Sequence, residues 1–357
     1  MTMDAVGGVW RYGLDLAASL QPHGITFVFV GFGPRPSSEQ RHEAEKIGKL
    51  IWQDAKLEWL AKRPAELDDL PRRIEALVKA EGIDLLHLNA PSQAAGLSVP
   101  CPVVVVSHSC VITWLDAVRS QQPGKLLWQK RLNRAGFDAA DAVLAPSSSH
   151  AEALERSYGP IRSLSVVHNA SKVTAGTAER QPFVFAAGRW WDEGKNGAVL
   201  DAVGNKLSWP VRLAGSVKGP NGERIRMRNA DHLGTLSSSE VQEVMARAGI
   251  FVSPSIYEPF GLAPLEAAAA GAPLVLSDIP TYRELWDGAA LFAAPRDPDA
   301  FVAALDGLIA SPSQRQEFGR KALLRAKRYS ASAQAEAMMA IYTQVQVPAE
   351  RPLVLSN

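Results

Sequence analysis

The chain has 357 residues, enough for two or three domains of ordinary size and at least one large core. Apolar residues make up 46% of it and charged residues 21%, which excludes the disordered, fibrous and coiled-coil classes. Lysines and arginines number 38 against 37 acidic residues, and a net charge of +1 gives no field that would select nucleic acid as the main partner.

The opening residues, Met1-Thr2-Met3-Asp4, carry neither the basic region nor the apolar core of a signal peptide. Only a few residues precede Val6-Gly7-Gly8-Val9, a loop of the kind that joins a strand to an amphipathic helix. The expectation is therefore either that the reading frame begins upstream or that residues 1–5 form a shortened strand. Strand-type apolar runs follow at 25–31, 83–88, 102–107, 142–145 and 164–167, separated by amphipathic stretches. Gly31-Phe32-Gly33, followed by Pro34, reads as a turn and not as a dinucleotide fingerprint.

His108 stands just past the third of these runs, at the carboxyl end of a strand, although a lone histidine is usually structural. Residues 125–134 are basic and amphipathic, which suits docking on the protein's own core or, alternatively, a peripheral membrane contact. The longest apolar runs fall far short of the roughly 20 residues of a membrane-spanning helix. Two cysteines, Cys101 and Cys110, form no disulfide framework and read as reduced thiols of a cytoplasmic protein. The seven histidines show no ligand spacing, so no metal site is expected.

The polar stretch 171–181, with Gly176 and then Pro182, is the best linker and places a domain boundary there. A second strand series runs at 183–187, 211–214, 250–253, 273–277 and 290–293, followed by helical patterns at 300–309, 313–328 and 331–345 and a frayed tail at 347–357. Alternation of near-continuous apolar strands with helices implies two doubly wound parallel α/β domains, 1–172 and 182–329, whose strand ends share a cleft.

The most informative segment is Glu258-Pro259-Phe260-Gly261-Leu262-Ala263-Pro264-Leu265-Glu266-Ala267, where a loop after a strand runs into a helix. Free amides and the positive end of the helix dipole there suit an anionic phosphate. Taken singly, Glu258 is a loop carboxylate, Glu266 a solvated helix position and Arg189 a surface ion-pair partner. Taken together, the two glutamates, with seven residues between them, resemble the signature of retaining glycosyltransferases of family 4, which have the GT-B fold of two Rossmann-like domains facing a central cleft. Gly7-Gly8-Val9, His108, Asp141-Ala142-Val143, Ser147, His168-Asn169-Ala170, Gly188-Arg189 and Lys195-Asn196 extend the match over nearly the whole chain. Ala170 departs from the family's usual Asn-Gly, and His168 is left unassigned.

The resemblance implies transfer of a glycosyl unit, with retention and without a metal or cofactor, from a nucleotide sugar to a hydroxyl of a glycan, lipid-linked saccharide or small molecule. A UDP-sugar is favoured on base rates and a GDP-sugar is the alternative. Arg189 and Lys195 would hold the donor diphosphate, Glu258 the sugar hydroxyls and Glu266 the ribose. His108 would face the sugar near its reactive carbon, while Gly7, Gly8 and the amides of Phe260, Gly261 and Leu262 would approach phosphate or sugar. Asp231-His232-Leu233-Gly234-Thr235-Leu236 resembles the stretch that holds the nucleobase. Residues 330–357 would return to the first domain, as in the family, and the implied setting is the cytoplasm or the inner face of a membrane. The competing readings are a GT-B epimerase, a phosphorylase, disfavoured by chain length, and a non-catalytic nucleotide-sugar-binding subunit of a polysaccharide assembly complex.

Overall fold

The computed structural model describes residues 1–120, 124–176 and 178–346, so the tail at 347–357 lies outside the described residues. In the first domain, β1 (Thr2–Asp4), β2 (Val28–Phe32) and β3 (Lys49–Trp52) form one parallel sheet in the order β1-β2-β3. A second parallel sheet holds β4 (Leu86–Leu88), β5 (Val103–Val106), β6 (Ala142–Ala145) and β7 (Leu164–Val166) in sequence order. The two meet at β1 and β4, where the Asn89 amide donates to Thr2 O at 2.6 Å and the Asn89 backbone N–H to Thr2 Oγ1 at 2.8 Å. Read across that seam the order is 3-2-1-4-5-6-7, a Rossmann winding with its switch point at β1/β4.

The second domain repeats the winding in one six-stranded parallel sheet. Its strands β8 (Gln181–Ala187), β9 (Val211–Ala214), β10 (Asp231–Gly234), β11 (Ala248–Ser253), β12 (Leu274–Ser277) and β13 (Leu291–Ala293) are ordered β10-β9-β8-β11-β12-β13. Its switch point lies between β8 and β11.

Helices cover both faces of each sheet, which is why the central strands are apolar without alternation: all four valines of β5 and all of β12 are buried. One face of the first domain packs Met3, Leu14, Phe29, Val104 and Leu144, and the other packs Phe32, Leu88, Val105 and Phe137. The helix Ala331–Gln346 leaves the second domain and places Met338 and Tyr342 in the first of these cores.

Two strands escape the expectation. β3 and β10 were not legible as strands because they are partly exposed and led by polar residues: β3 is half-buried and begins on Lys49, and β10 is largely exposed with Asp231 and His232 in its first two positions. Thr2–Asp4 form a short first strand. Met1 and Met3 are buried, the Met1 amino group donates to Val28 O at 2.8 Å, and Val30 N–H donates to Met1 O at 2.9 Å. Toward β4, Asn89 takes the place of ladder bonds through its amide and its backbone N–H.

Candidate functional site

Both sheets aim their carboxyl ends at one cleft of about 750 Å³, lined from both domains. All ten residues singled out from the sequence line it: Gly7, Gly8, His108, Arg189, Lys195, Glu258, Phe260, Gly261, Leu262 and Glu266. Gly7 precedes the helix Gly8–Leu20 in extended backbone, so conformation does not demand glycine there. Space does: a Cβ on Gly7 would sit 3.1 Å from Arg189 Nη1, and one on Gly8 would sit 3.3 Å from Leu262 Cδ1. The two switch points therefore face each other across a gap that side chains would narrow.

His108 follows β5 and is held from below by the Asn89 side chain. Because the Asn89 amide donates to Thr2 O, its Oδ1 is left to accept from His108 Nε2 at 2.9 Å and His87 Nε2 at 3.2 Å. Both imidazoles are thereby assigned the Nε2–H tautomer, and His87 Nδ1 accepts the Tyr342 hydroxyl at 2.7 Å. Burial, with His150 adding to it, pushes His108 down to about 3. His108 is a neutral hydrogen-bonding group, stacked edge-on against Tyr12 at 4.2 Å.

Across the cleft, Arg189 stands just past β8, where Asp192 lies 3.4 Å from its Nη2 and the Trp191 ring lies beneath it. Lys195 does not open the next helix. Instead it ends the 3₁₀ turn Glu193–Lys195, because Asn196 takes a left-handed φ of 56° before the helix Gly197–Gly204 begins. The Asn196 amide donates to Pro254 O at 3.0 Å and Pro295 O at 2.6 Å, tying the turn to two neighbouring strand ends. Lys195 Nζ lies 2.5 Å from Glu258 Oε2, so the lysine and the glutamate form an ion pair inside the cleft.

Gly261 has φ of 93°, a conformation that strains side chains, and its missing Cβ leaves room for the Tyr282 ring. The turn opens the helix Leu262–Ala269, whose N-terminus no side chain caps. The amides of Leu262 and Ala263 therefore face the cleft with the helix dipole behind them. Phe260 contributes backbone to the cleft, since its ring is buried 5.6 Å from Tyr329. Glu266 is not the solvated position that a single-residue reading gives. Burial pushes its carboxyl up to about 7, Arg11 opposing and Asp15 adding to the shift.

Several lining residues carried no sequence signal of their own. Asp4, Glu58, Trp59, Asn133, Trp114 and Asp192 reach the cleft from loops and helices far apart in the chain. Asn169 lines it as well, buried, with its Oδ1 unpartnered. His168 lies instead near the domain seam, its Nε2 3.7 Å from Glu284. The basic stretch docks on its own domain through Gln129, Asn133 and Phe137, while Leu127 stays half-exposed. Among the described residues no helix is long and apolar enough to cross a membrane, and no group of three or more His, Cys, Asp or Glu side chains could hold a metal ion.

Two family models match the chain: Glycosyltransferase Family 4 over residues 6–171 and Glycosyl transferases group 1 over residues 225–325. The alpha-maltose-1-phosphate synthase of Mycolicibacterium smegmatis is 25% identical over 305 residues, covering 71% of this chain and 77% of that protein. The glycogen synthase of Mycobacterium tuberculosis is 39% identical over 101 residues, 28% of this chain, and that match spans only 24% of the relative. The sucrose-phosphate synthase of Thermosynechococcus elongatus superposes with a TM-score of 0.78 at 18% identity, covering 96% and 98% of the two chains. HepE of Anabaena, solved in complex with UDP and glucose, gives 0.74 at 15% identity over 96% and 99%. The two matched segments hold the glycine loop on one side of the cleft and the paired glutamates on the other, and the chain belongs to glycosyltransferase family 4, with the GT-B fold.

Proposed function

We propose that the chain is a retaining, metal-independent glycosyltransferase that moves a sugar from a nucleotide sugar, a UDP-sugar in preference to a GDP-sugar, to an acceptor hydroxyl. The observation that carries this is the convergence of Arg189, Lys195 and an uncapped helix N-terminus on one face of the cleft, opposite the glycine loop and a neutral His108. As the glycosidic bond breaks, negative charge grows on the departing diphosphate. Two fixed cations and aligned amides stabilise that charge most when it is fully developed, which is where catalysis gains. In the cleft Glu258 balances Lys195; a bound diphosphate draws the lysine and leaves the carboxylate to accept from sugar hydroxyls. His108, uncharged, hydrogen-bonds the transferred sugar without opposing the positive charge that develops at its anomeric carbon. The departing phosphate takes the acceptor proton on the same face, so the protein positions both reactants and supplies no separate base. That HepE was solved with UDP and glucose supports a UDP-sugar donor here.

The test combines binding and turnover. A UDP-sugar is expected to raise the melting temperature more than a GDP- or ADP-sugar, and slow donor hydrolysis, unaffected by EDTA, is expected from the chain alone. Arg189→Ala and Lys195→Ala should each lower kcat about a hundredfold, roughly 3 kcal/mol, with the fold intact. Near-wild-type kcat in both removes the leaving-group role, and UDP-sugar binding without any hydrolysis or transfer favours a binding subunit.

A further inference from the structure

The first domain's far wall of the cleft holds an unexplained set of polar atoms. Glu58 opens the 3₁₀ turn Glu58–Leu60, and its Oε1 is buried with no hydrogen-bond partner. Gln129 and Asn133, one turn apart on the helix Leu127–Ala139, are 3% and 1% exposed, and Gln129 Oε1 and Asn133 Oδ1 are equally unpartnered. The three belong to one cluster. Gln129 Nε2 donates to Glu58 O at 3.3 Å, and Asn133 Nδ2 donates to the Tyr158 hydroxyl at 3.4 Å, which in turn lies 3.2 Å from Cys110 Sγ. Glu58 and Asn133 line the cleft together with partly exposed Trp59 and Trp114. Buried acceptors without donors are uncommon and costly, so three in one cluster ask what supplies their hydrogens.

We propose that Glu58, Asn133 and Trp59 form the acceptor subsite of the transferase and that its ligand is an uncharged, polyhydroxylated saccharide ring. This rests on the glycosyl-transfer reading and adds the acceptor class to it. Of the three orphan atoms, those of Glu58 and Asn133 line the cleft; both can accept, so the ligand must donate, as ring hydroxyls do. An indole face covers the apolar C–H face of such a ring. A phosphate is the wrong ligand for this wall, because burial around the Glu58 carboxyl disfavours charge and a phosphate would bring acceptor oxygens to an amide oxygen that already lacks a donor. Burial pushes that carboxyl up to about 7 with no neighbouring cation to offset it. The cations that line the cleft among the described residues are engaged elsewhere: Arg11 with Glu43, Arg119 with Glu193, Arg189 with Asp192 and Lys195 with Glu258. Lys195 and Arg189 belong to the donor side.

The test uses the full chain saturated with UDP and read by intrinsic tryptophan fluorescence. It is titrated with maltose, sucrose and methyl α-mannoside, and with maltose 1-phosphate, sucrose 6-phosphate and mannose 6-phosphate. A neutral saccharide is expected to bind and its phosphate ester to bind at least tenfold more weakly. Glu58→Gln, which keeps the side-chain volume, should weaken neutral-saccharide binding about tenfold, Trp59→Ala should do likewise, and the thermal shift given by UDP should stay unchanged in both. Preference for the phosphate esters, binding of neither class, or unchanged saccharide affinity in Glu58→Gln overturns the proposal; the last outcome assigns the orphan atoms to buried water. Loss of the UDP shift in the unmodified chain is a different failure, that of the donor reading itself.

Discussion

Glu266 shows what desolvating a carboxyl costs a folded chain. Burial holds its carboxyl at about 7 where an unfolded chain would have it near 4.5. A pKa raised on folding means that the native state binds the proton more tightly. The associated stability is fully present below pH 4.5 and is lost as pH rises through 7. Glu266→Gln is therefore expected to stabilise the ligand-free chain at pH 8, by up to about 3 kcal/mol in urea unfolding, with the gain fading towards pH 4.5. The same variant should bind UDP more weakly at pH 8, because a neutral amide has one acceptor oxygen for a ribose diol where a carboxylate has two. A variant that gains nothing in stability, or loses nothing in UDP affinity, separates the burial argument from the ligand argument. The seven-residue gap between Glu258 and Glu266 was legible in the sequence, as were Arg189 and Lys195. What was not legible was the state of each side chain: that Lys195 and Glu258 pair in the cleft, or that Glu266 is half-buried near Arg11, because those partners lie 63 and 255 residues away.

At the scale of elements, the alternation of apolar runs with amphipathic stretches located the central strands to within a few residues, since burial on both faces leaves a continuous apolar signature. β3 and β10, partly exposed and led by Lys49 and Asp231, lack that signature and escaped for that reason. Neither could any pattern reveal that β1 and β4 are joined through a side chain. Asn89 does in one residue what several ladder bonds do elsewhere: it closes the sheet on Thr2 and accepts from His87 and His108. Asn89→Ala would strand Thr2 O and two imidazole N–H groups in a buried space. Each such group costs about 1–3 kcal/mol, and partial relaxation should leave a net loss of about 3 kcal/mol in urea unfolding. Asn89→Asp is informative beside it: the carboxylate still accepts from both histidines but cannot donate to Thr2 O. Its expected signature is a large loss of stability together with a raised His108 pKa, read from the imidazole resonances. If both variants unfold like the wild type, the seam at β1/β4 is held by packing and the hydrogen bonds are incidental.

At the scale of the molecule, the cleft exists because the two domains are held at a fixed approach, and one acid residue carries much of that seam. Glu284, on the helix Pro280–Trp286, accepts from the backbone N–H groups of Ser148 and Ser149 at 2.8 and 2.7 Å and from Ser149 Oγ at 2.7 Å. It thus covers the positive N-terminal end of the first domain's helix Ser148–Tyr158. Flanking it, Ser147 Oγ donates to Pro259 O at 2.6 Å and Trp114 Nε1 donates to Asp192 Oδ1 at 2.9 Å. Burial works to raise the Glu284 carboxyl, but hydrogen bonds from His168, Ser149 and Ser148 outweigh it and hold it down to about 2. A pKa depressed on folding contributes stability above the unfolded value of 4.5, and that stability is lost as pH falls through 2. Because the group is partly open to solvent, the contribution is about 1–2 kcal/mol after screening. The difference in unfolding free energy between wild type and Glu284→Gln is therefore expected to be of this size at pH 7, unchanged down to about pH 5, and to shrink towards zero near pH 2. Comparing the two proteins at each pH removes the other carboxylates that titrate in the same window. Scattering at pH 7 should show a larger radius of gyration for Glu284→Ala, since the loss falls between the domains and not within either core. An unchanged radius together with a pH-independent difference would place Glu284 outside the force that sets the cleft's width, and leave that task to the crossing helix Ala331–Gln346, whose Met338 and Tyr342 are buried in the first domain's core.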